Sequence, residues 1–293
     1  MIAVAAATTI PITKMHGAGN DYVYVDCRAR ELADPPRLAR AVARRHHGIG
    51  ADGLILIRPS TVAECRMEMY NADGSRAEMC GNGIRCVGKF VYDRGVRVNP
   101  LRIETDCGVK TLDLNIGAGG RVTSARVDMG APVFDGPRIP VASEGKVIDQ
   151  PLVVGDTTYQ VTCLSMGNPH CVVFVPEVAN LELDRLGPRF EHHPFFPERV
   201  NTEFVAPRSR RELDFRVWER GSGETMACGT GACAALVAAA VTGRSERHAV
   251  IHLRGGDLEI EWGADDRVAM TGGAAEVFSA DLDLATLYAA TGT

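Results

Sequence analysis

The chain has 293 residues, of which 45% are apolar and 24% charged, and a formal charge of −5 at pH 7. This is a soluble globular composition, long enough for two domains at about 150 residues each, and it excludes collagen-like, disordered and mini-protein classes. The mild acidity offers no Lys/Arg excess for a nucleic-acid backbone or an anionic lipid surface, so a small-molecule partner is expected.

Residues 1–10 lack the basic start of a secretory signal and read as a short extension, and the Ile-Pro-Ile-Thr-Lys-Met that follows from Ile10 reads as a strand. Runs of β-branched or alternating apolar residues then predict a strand over 22–26. Asp34-Pro35-Pro36 opens a helix whose Arg37, Arg40, Arg44 and Arg45 form a solvated face. Strands are expected over 53–57 and 66–70, a helix over 84–93 that stops at Gly95, then strands over 101–105 and 124–129. The Pro-containing stretch from Gly130 to Pro140 is the linker candidate. Strands follow over 171–175 and 215–218, a helix over 231–241 that stops at Gly243, and strands over 250–253 and 258–261. The run 231–241 is the most apolar of the chain, and its 11 residues fall short of the ~20 that a spanning helix needs, so no membrane partner is expected. Nine dispersed cysteines lack the density of a disulfide scaffold and suit a reducing, cytoplasmic location.

The chain repeats itself. Met79-Cys80-Gly81-Asn82-Gly83 and Ala227-Cys228-Gly229-Thr230-Gly231 share the frame Cys-Gly-x-Gly at an offset of 148 residues. Gly19-Asn20 and Gly167-Asn168, each ahead of an apolar run, lie at the same offset. Two motifs agreeing on about half the chain length read as a duplication of one domain.

In both copies the cysteine stands at the head of a predicted helix. Unpaired N–H groups and the positive end of the helix dipole stabilise a thiolate there, so Cys80 and Cys228 are candidate acid/base groups. The flanking glycines let a ligand approach, and their N–H groups suit a carboxylate. Cys86 and Cys233 fall inside the helices and read as buried packing. A pseudo-two-fold relation between the copies would bring both helix heads to one cleft, with a thiolate and a thiol on opposite faces of one ligand atom. That arrangement is two-base inversion of a stereocentre, for which no cofactor is needed. The four lysines (Lys14, Lys89, Lys110, Lys146) lie outside any phosphate-cradling glycine loop and give a pyridoxal route no support.

These motifs resemble the diaminopimelate epimerase family. The resemblance runs through Lys14 to Asp21, Gly50-Ala51-Asp52-Gly53, Asn71 to Ser75, Met79 to Arg85, Gly167-Asn168-Pro169-His170, Val200 to Phe204, Glu219-Arg220-Gly221 and Ala227 to Ala232, and covers nearly the whole chain in order. Departures are Ser222, Thr202, Gly53 and the N-terminal extension. The resemblance implies epimerisation of LL-2,6-diaminopimelate to the meso isomer, with no cofactor and no metal. It implies Cys80 and Cys228 as the acid/base pair, and His170 and Glu219 as residues that set which sulfur holds the proton. It further implies that Asn20, Asn71, Asn168, Asn201, Glu219 and Arg220 bind the distal end of the substrate, and that Gly81-Asn82 and Gly229-Thr230 hold the reacting carboxylate. The implied fold is α/β (α+β): two pseudo-symmetric domains, residues 1–130 with 274–293 and residues 131–273, each a mixed or antiparallel sheet wrapped around a central helix. A homodimer is implied as well. Two other readings are a proline- or hydroxyproline-racemase-like enzyme of the same two-thiol type, and a metal or redox thiol protein. The second is disfavoured because the chain has no Cys-x-x-Cys and no close zinc-ligand spacing.

Overall fold

The computed structural model describes residues 9–293, so most of the extension read at residues 1–10 lies outside the described residues. The chain falls into two compact units: one runs to Ala125 and resumes from Gly273 to Thr293, and the other is Arg126–Gly272.

The first unit contains β1 (Thr9–Gly17), β2 (Asn20–Asp26), α1 (Pro35–Ala43), β3 (Gly53–Arg58), β4 (Cys65–Asn71), β5 (Arg76–Ala77), α2 (Gly81–Asp93), β6 (Leu101–Thr105) and β7 (Gly108–Ile116). The chain crosses into the second unit within β8 (Val122–Gly130). There it forms β9 (Gln150–Val154), β10 (Thr157–Ser165), β11 (Pro169–Phe174), α3 (Leu183–Glu191), β12 (Asn201–Ser209), β13 (Glu212–Glu219), β14 (Gly223–Glu224), α4 (Gly229–Val241), β15 (His248–Leu253), β16 (Gly256–Trp262) and β17 (Val268–Gly273). The first unit is completed by β18 (Ala275–Asp283) and α5 (Leu284–Thr291).

The sheet of each unit is mixed. In the first, β1 pairs antiparallel with β18 and β2, β2 is parallel to β3, and β3 is antiparallel to β4. In the second, β10 is antiparallel to β11, β11 parallel to β12, and β12 antiparallel to β13. The sheets curl around α2 and α4: α2 touches β1, β2, β6 and β7, and α4 touches β10, β11, β12, β15 and β16. Burial explains the composition of α4. Every residue from Ala232 to Ala239 is fully buried, so this helix has no polar face and small side chains let strands approach from all sides.

The duplication extends to register. Adding 148 to the bounds of α1 and α2 gives those of α3 and α4. The pairs Tyr22↔Gly53 and Gly53↔Asn71 correspond to His170↔Asn201 and to the β12–β13 register that sets Thr202 opposite Trp218. The stretch 130–140 is not a free linker. Val133 bridges Ser165, and Ile139 is fully buried in the core of the second unit beside Leu183, Phe190 and Phe204. Among the described residues no helix is long and apolar enough to cross a membrane.

Candidate active site

Both helices start earlier than the sequence pattern places them, at Gly81 and Gly229 rather than at Ile84 and Gly231. The reason is the cysteine. Cys80 and Cys228 take extended backbone angles at the N-cap, and each sulfur accepts the N–H of the third helical residue, Gly83 or Gly231, at 3.4 Å. A thiol thus fills the place a Ser or Asp cap would take, at the positive end of the helix dipole. The N–H groups of Gly81, Asn82, Gly229 and Thr230 fall in the first turn, ahead of the i→i−4 ladder within the helix.

Around Cys80, the thiol donates to Asn20 Oδ1 at 3.2 Å, and Asn20 Nδ2 donates to Asp52 Oδ2 at 2.8 Å. Asp52 also accepts the Asp21 N–H at 3.0 Å; burial is the chief cause that raises its carboxyl above the ordinary range. Lys14 pairs with Asp21 and donates to the Gly50 carbonyl. Behind the helix head, the fully buried Arg85 donates to the Gly81 carbonyl and to Asn82 Oδ1, both at 3.0 Å. Asn71, at the end of β4, donates to Ser75 Oγ at 3.0 Å.

The surroundings of Cys228 are acidic. Its sulfur lies 3.5 Å from Thr230 Oγ1, and burial, then the charges of Glu219 and Glu203, push the thiol well above its ordinary value. His170 on β11 is fully buried: its Nδ1 is 2.7 Å from Glu203 Oε1 on β12, and its Nε2 is 2.8 Å from Asn168 Oδ1. Glu219 closes β13 and accepts from Thr225 Oγ1. Asn201 is held at both ends, donating to the Pro169 carbonyl at 2.8 Å and accepting the Arg220 N–H at 2.9 Å. Arg220 itself donates to the Glu198 carbonyl at 3.2 Å.

Glu203 was not among the residues to which sequence reasoning gave a role. Its signal was present, however. Adding 148 to Ile55 gives Glu203, so one copy of the strand carries an apolar residue where the other carries an acid. In the first unit a side chain on Gly83 would meet Ile55 Cδ1 at 2.7 Å; in the second, a side chain on Gly231 would meet Glu203 Oε1 at 2.8 Å and Cys228 Sγ at 3.2 Å. The same glycine therefore makes room for packing in one unit and for a carboxylate beside the thiol in the other.

Comparison with known proteins agrees with these motifs. The family model described as diaminopimelate epimerase matches residues 12–134 and 162–277. The chain is 53% identical over 275 residues to the diaminopimelate epimerase of Moorella thermoacetica, covering 92% of this chain and 98% of that one. It is 50% identical over 275 residues to that of Acetivibrio thermocellus, covering 93% and 98%. Among solved structures, a hydroxyproline epimerase from Agrobacterium vitis superposes with a TM-score of 0.68 at 13% identity, covering 94% of this chain and 92% of that one. A phenazine biosynthesis protein of the PhzF family from Enterococcus faecalis gives 0.70 at 13%, covering 94% and 99%. At such identity these structures share the fold alone, a mixed α/β fold with few helices.

Proposed function

The chain belongs to the diaminopimelate epimerase family, and from that premise we propose that it interconverts LL- and meso-2,6-diaminopimelate by transferring a proton between two thiols. It is an isomerase of a family that works without pyridoxal phosphate. The observation that carries the reading is the pair of cysteine-capped helices, equal in length, at one offset, each sulfur bound by the N–H of the third residue.

In this reading Cys80 and Cys228 act on opposite faces of the α-carbon. As one sulfur takes the α-proton, the other delivers its own, so the centre inverts with no net change in protonation. The acidic surroundings of Cys228 favour its protonated form, which supports it as the donor when Cys80 is the base. The reacting carboxylate is held by the first-turn N–H groups of Gly81-Asn82 and Gly229-Thr230, where charge developing beside the α-carbon is stabilised. His170 and Glu219 set which sulfur holds the proton. Asn20, Asn71, Asn168, Asn201, Glu219 and Arg220 bind the distal zwitterion, for which amides and a guanidinium supply both donors and acceptors. The working form is proposed to be a cytoplasmic homodimer; nine free thiols suit a reducing compartment.

Incubation of the purified protein with LL-diaminopimelate in D₂O tests this reading. The meso isomer is expected, with deuterium on the inverted α-carbon, read by NMR and mass spectrometry. Cys80→Ala and Cys228→Ala are each expected to abolish conversion. Unlabelled product, or turnover that survives either substitution, would defeat the mechanism.

A further inference from the structure

The ring of His170 lies between two oxygens, Glu203 Oε1 at Nδ1 and Asn168 Oδ1 at Nε2. A neutral imidazole has one N–H, and an amide oxygen cannot donate. Both contacts are hydrogen bonds only if Glu203 and His170 together hold two protons: a carboxylic acid with a neutral Nε2–H ring, or a carboxylate with an imidazolium. In either state one proton lies between Glu203 and Nδ1, and Nε2 donates to Asn168. The second Glu203 oxygen, Oε2, is buried with no hydrogen-bond partner, so His170 is the side chain that Glu203 engages. Burial raises the Glu203 carboxyl and the facing ring lowers it, in keeping with a shared proton.

We infer that Glu203 is a positioning residue which, by holding His170 with Nε2 protonated, fixes the Asn168 amide with its oxygen inward and its NH₂ group free to donate to a ligand. An unfixed amide could present either end, and a carboxylate ligand accepts only from the nitrogen. A side chain on Gly231 would meet both the Glu203 carboxylate and Cys228 Sγ, so the carboxylate stands beside the thiol, and β12, which bears it, packs on α4. The unit that carries Cys80 has Ile55 at the matching position and Tyr22 where the second unit has His170. The device therefore belongs to one copy of the duplicated fold. The inference rests on the reading of Asn168 as a ligand-binding amide.

Two measurements test it. In ligand-free wild-type protein labelled with ¹⁵N-histidine, the His170 ring, assigned with His170→Gln, is expected to show a protonated Nε2 at neutral pH. A ring protonated at Nδ1 alone would overturn the inference, and this readout is independent of activity. The second is steady-state kinetics with diaminopimelate. Glu203→Gln can donate its amide to Nδ1 and keep the ring in place, whereas Glu203→Met has similar volume and no donor. Neither variant side chain carries a charge beside Cys228, so the difference between them reports the hydrogen bond. KM is expected to rise about tenfold in Glu203→Met relative to Glu203→Gln, with kcat alike in the two, as for loss of one charge-assisted contact. Equal KM values in the two folded variants would overturn it. Should Glu203→Met fail to fold, the wild-type ring state decides. Wild-type protein that neither binds nor converts diaminopimelate defeats the functional reading and leaves the ring state measurable.

Discussion

At the scale of the residue, burial first and carboxylate charge second set the state of Cys228. Cys80 has a neutral amide, Asn20, against its sulfur, while Cys228 has burial and two carboxylates acting on it. A thiolate reacts with alkylating agents far faster than a thiol, so the pH profile of labelling follows ionisation. Negative charge near a thiol disfavours its anion, and removing that charge lowers its pKa. Labelling of Cys228, followed by mass spectrometry, is therefore expected to reach its midpoint above that of an ordinary thiol. In Glu219→Gln the midpoint is expected to move to lower pH, because the largest charge acting on Cys228 is gone. An unmoved midpoint would mean that Glu219 exerts no field at the sulfur.

At the scale of the element, α3 shows how packing overrides propensity. Its Leu-Gly-Pro-Arg run places Gly187 and Pro188 inside a helix, two residues that argue against one, and no helix was expected there. The helix forms because Trp218 of β13 lies on Gly187: a side chain at that position would meet the indole at 2.1 Å. The indole N–H in turn donates to Glu191 Oε2 at 2.7 Å, and Glu191 Oε1 accepts the Gly221 N–H at 2.9 Å, which anchors the turn bearing Glu219 and Arg220. Gly187→Ala improves helix propensity by about 1 kcal/mol, but overpacking costs roughly 1–3 kcal/mol, so a net loss of stability is expected. A lowered midpoint of chemical denaturation and a raised KM for diaminopimelate would be the signs; a stabilised protein would refute the packing argument. The strand β12 was hidden for a related reason. Its Pro207 and buried Glu203 break the apolar pattern that marked β3, its counterpart in the first unit.

At the scale of the whole molecule, the first unit is discontinuous and the second is not. β1 pairs along its length with β18, and α5 closes on α1, with Leu287 in the core and Arg37 stacked 4.0 Å from the Tyr288 ring. A fragment from Met1 to Ala125 lacks both partners, leaving one edge of β1 open and part of the core uncovered. The fragment 126–272 retains its own core around Phe190 and Phe204. It is expected to melt cooperatively with dispersed amide resonances, whereas the N-terminal fragment is expected to aggregate or stay molten. Equal cooperativity in the two fragments would contradict this view of how the chain folds.

Local pattern carried the duplication, the paired cysteines and the family, because a Cys-Gly-x-Gly frame and the spacing between its copies are properties of the chain as written. Most strands were legible for the same reason: alternation of apolar side chains is local. What the chain order could not supply was the company each side chain keeps. Glu203 and His170 are 33 positions apart and meet only because β11 and β12 run parallel in adjacent register. The acidic field at Cys228 has the same origin, since charge interactions depend on distance and burial in the packed protein, and both arise only when strands far apart in sequence come together.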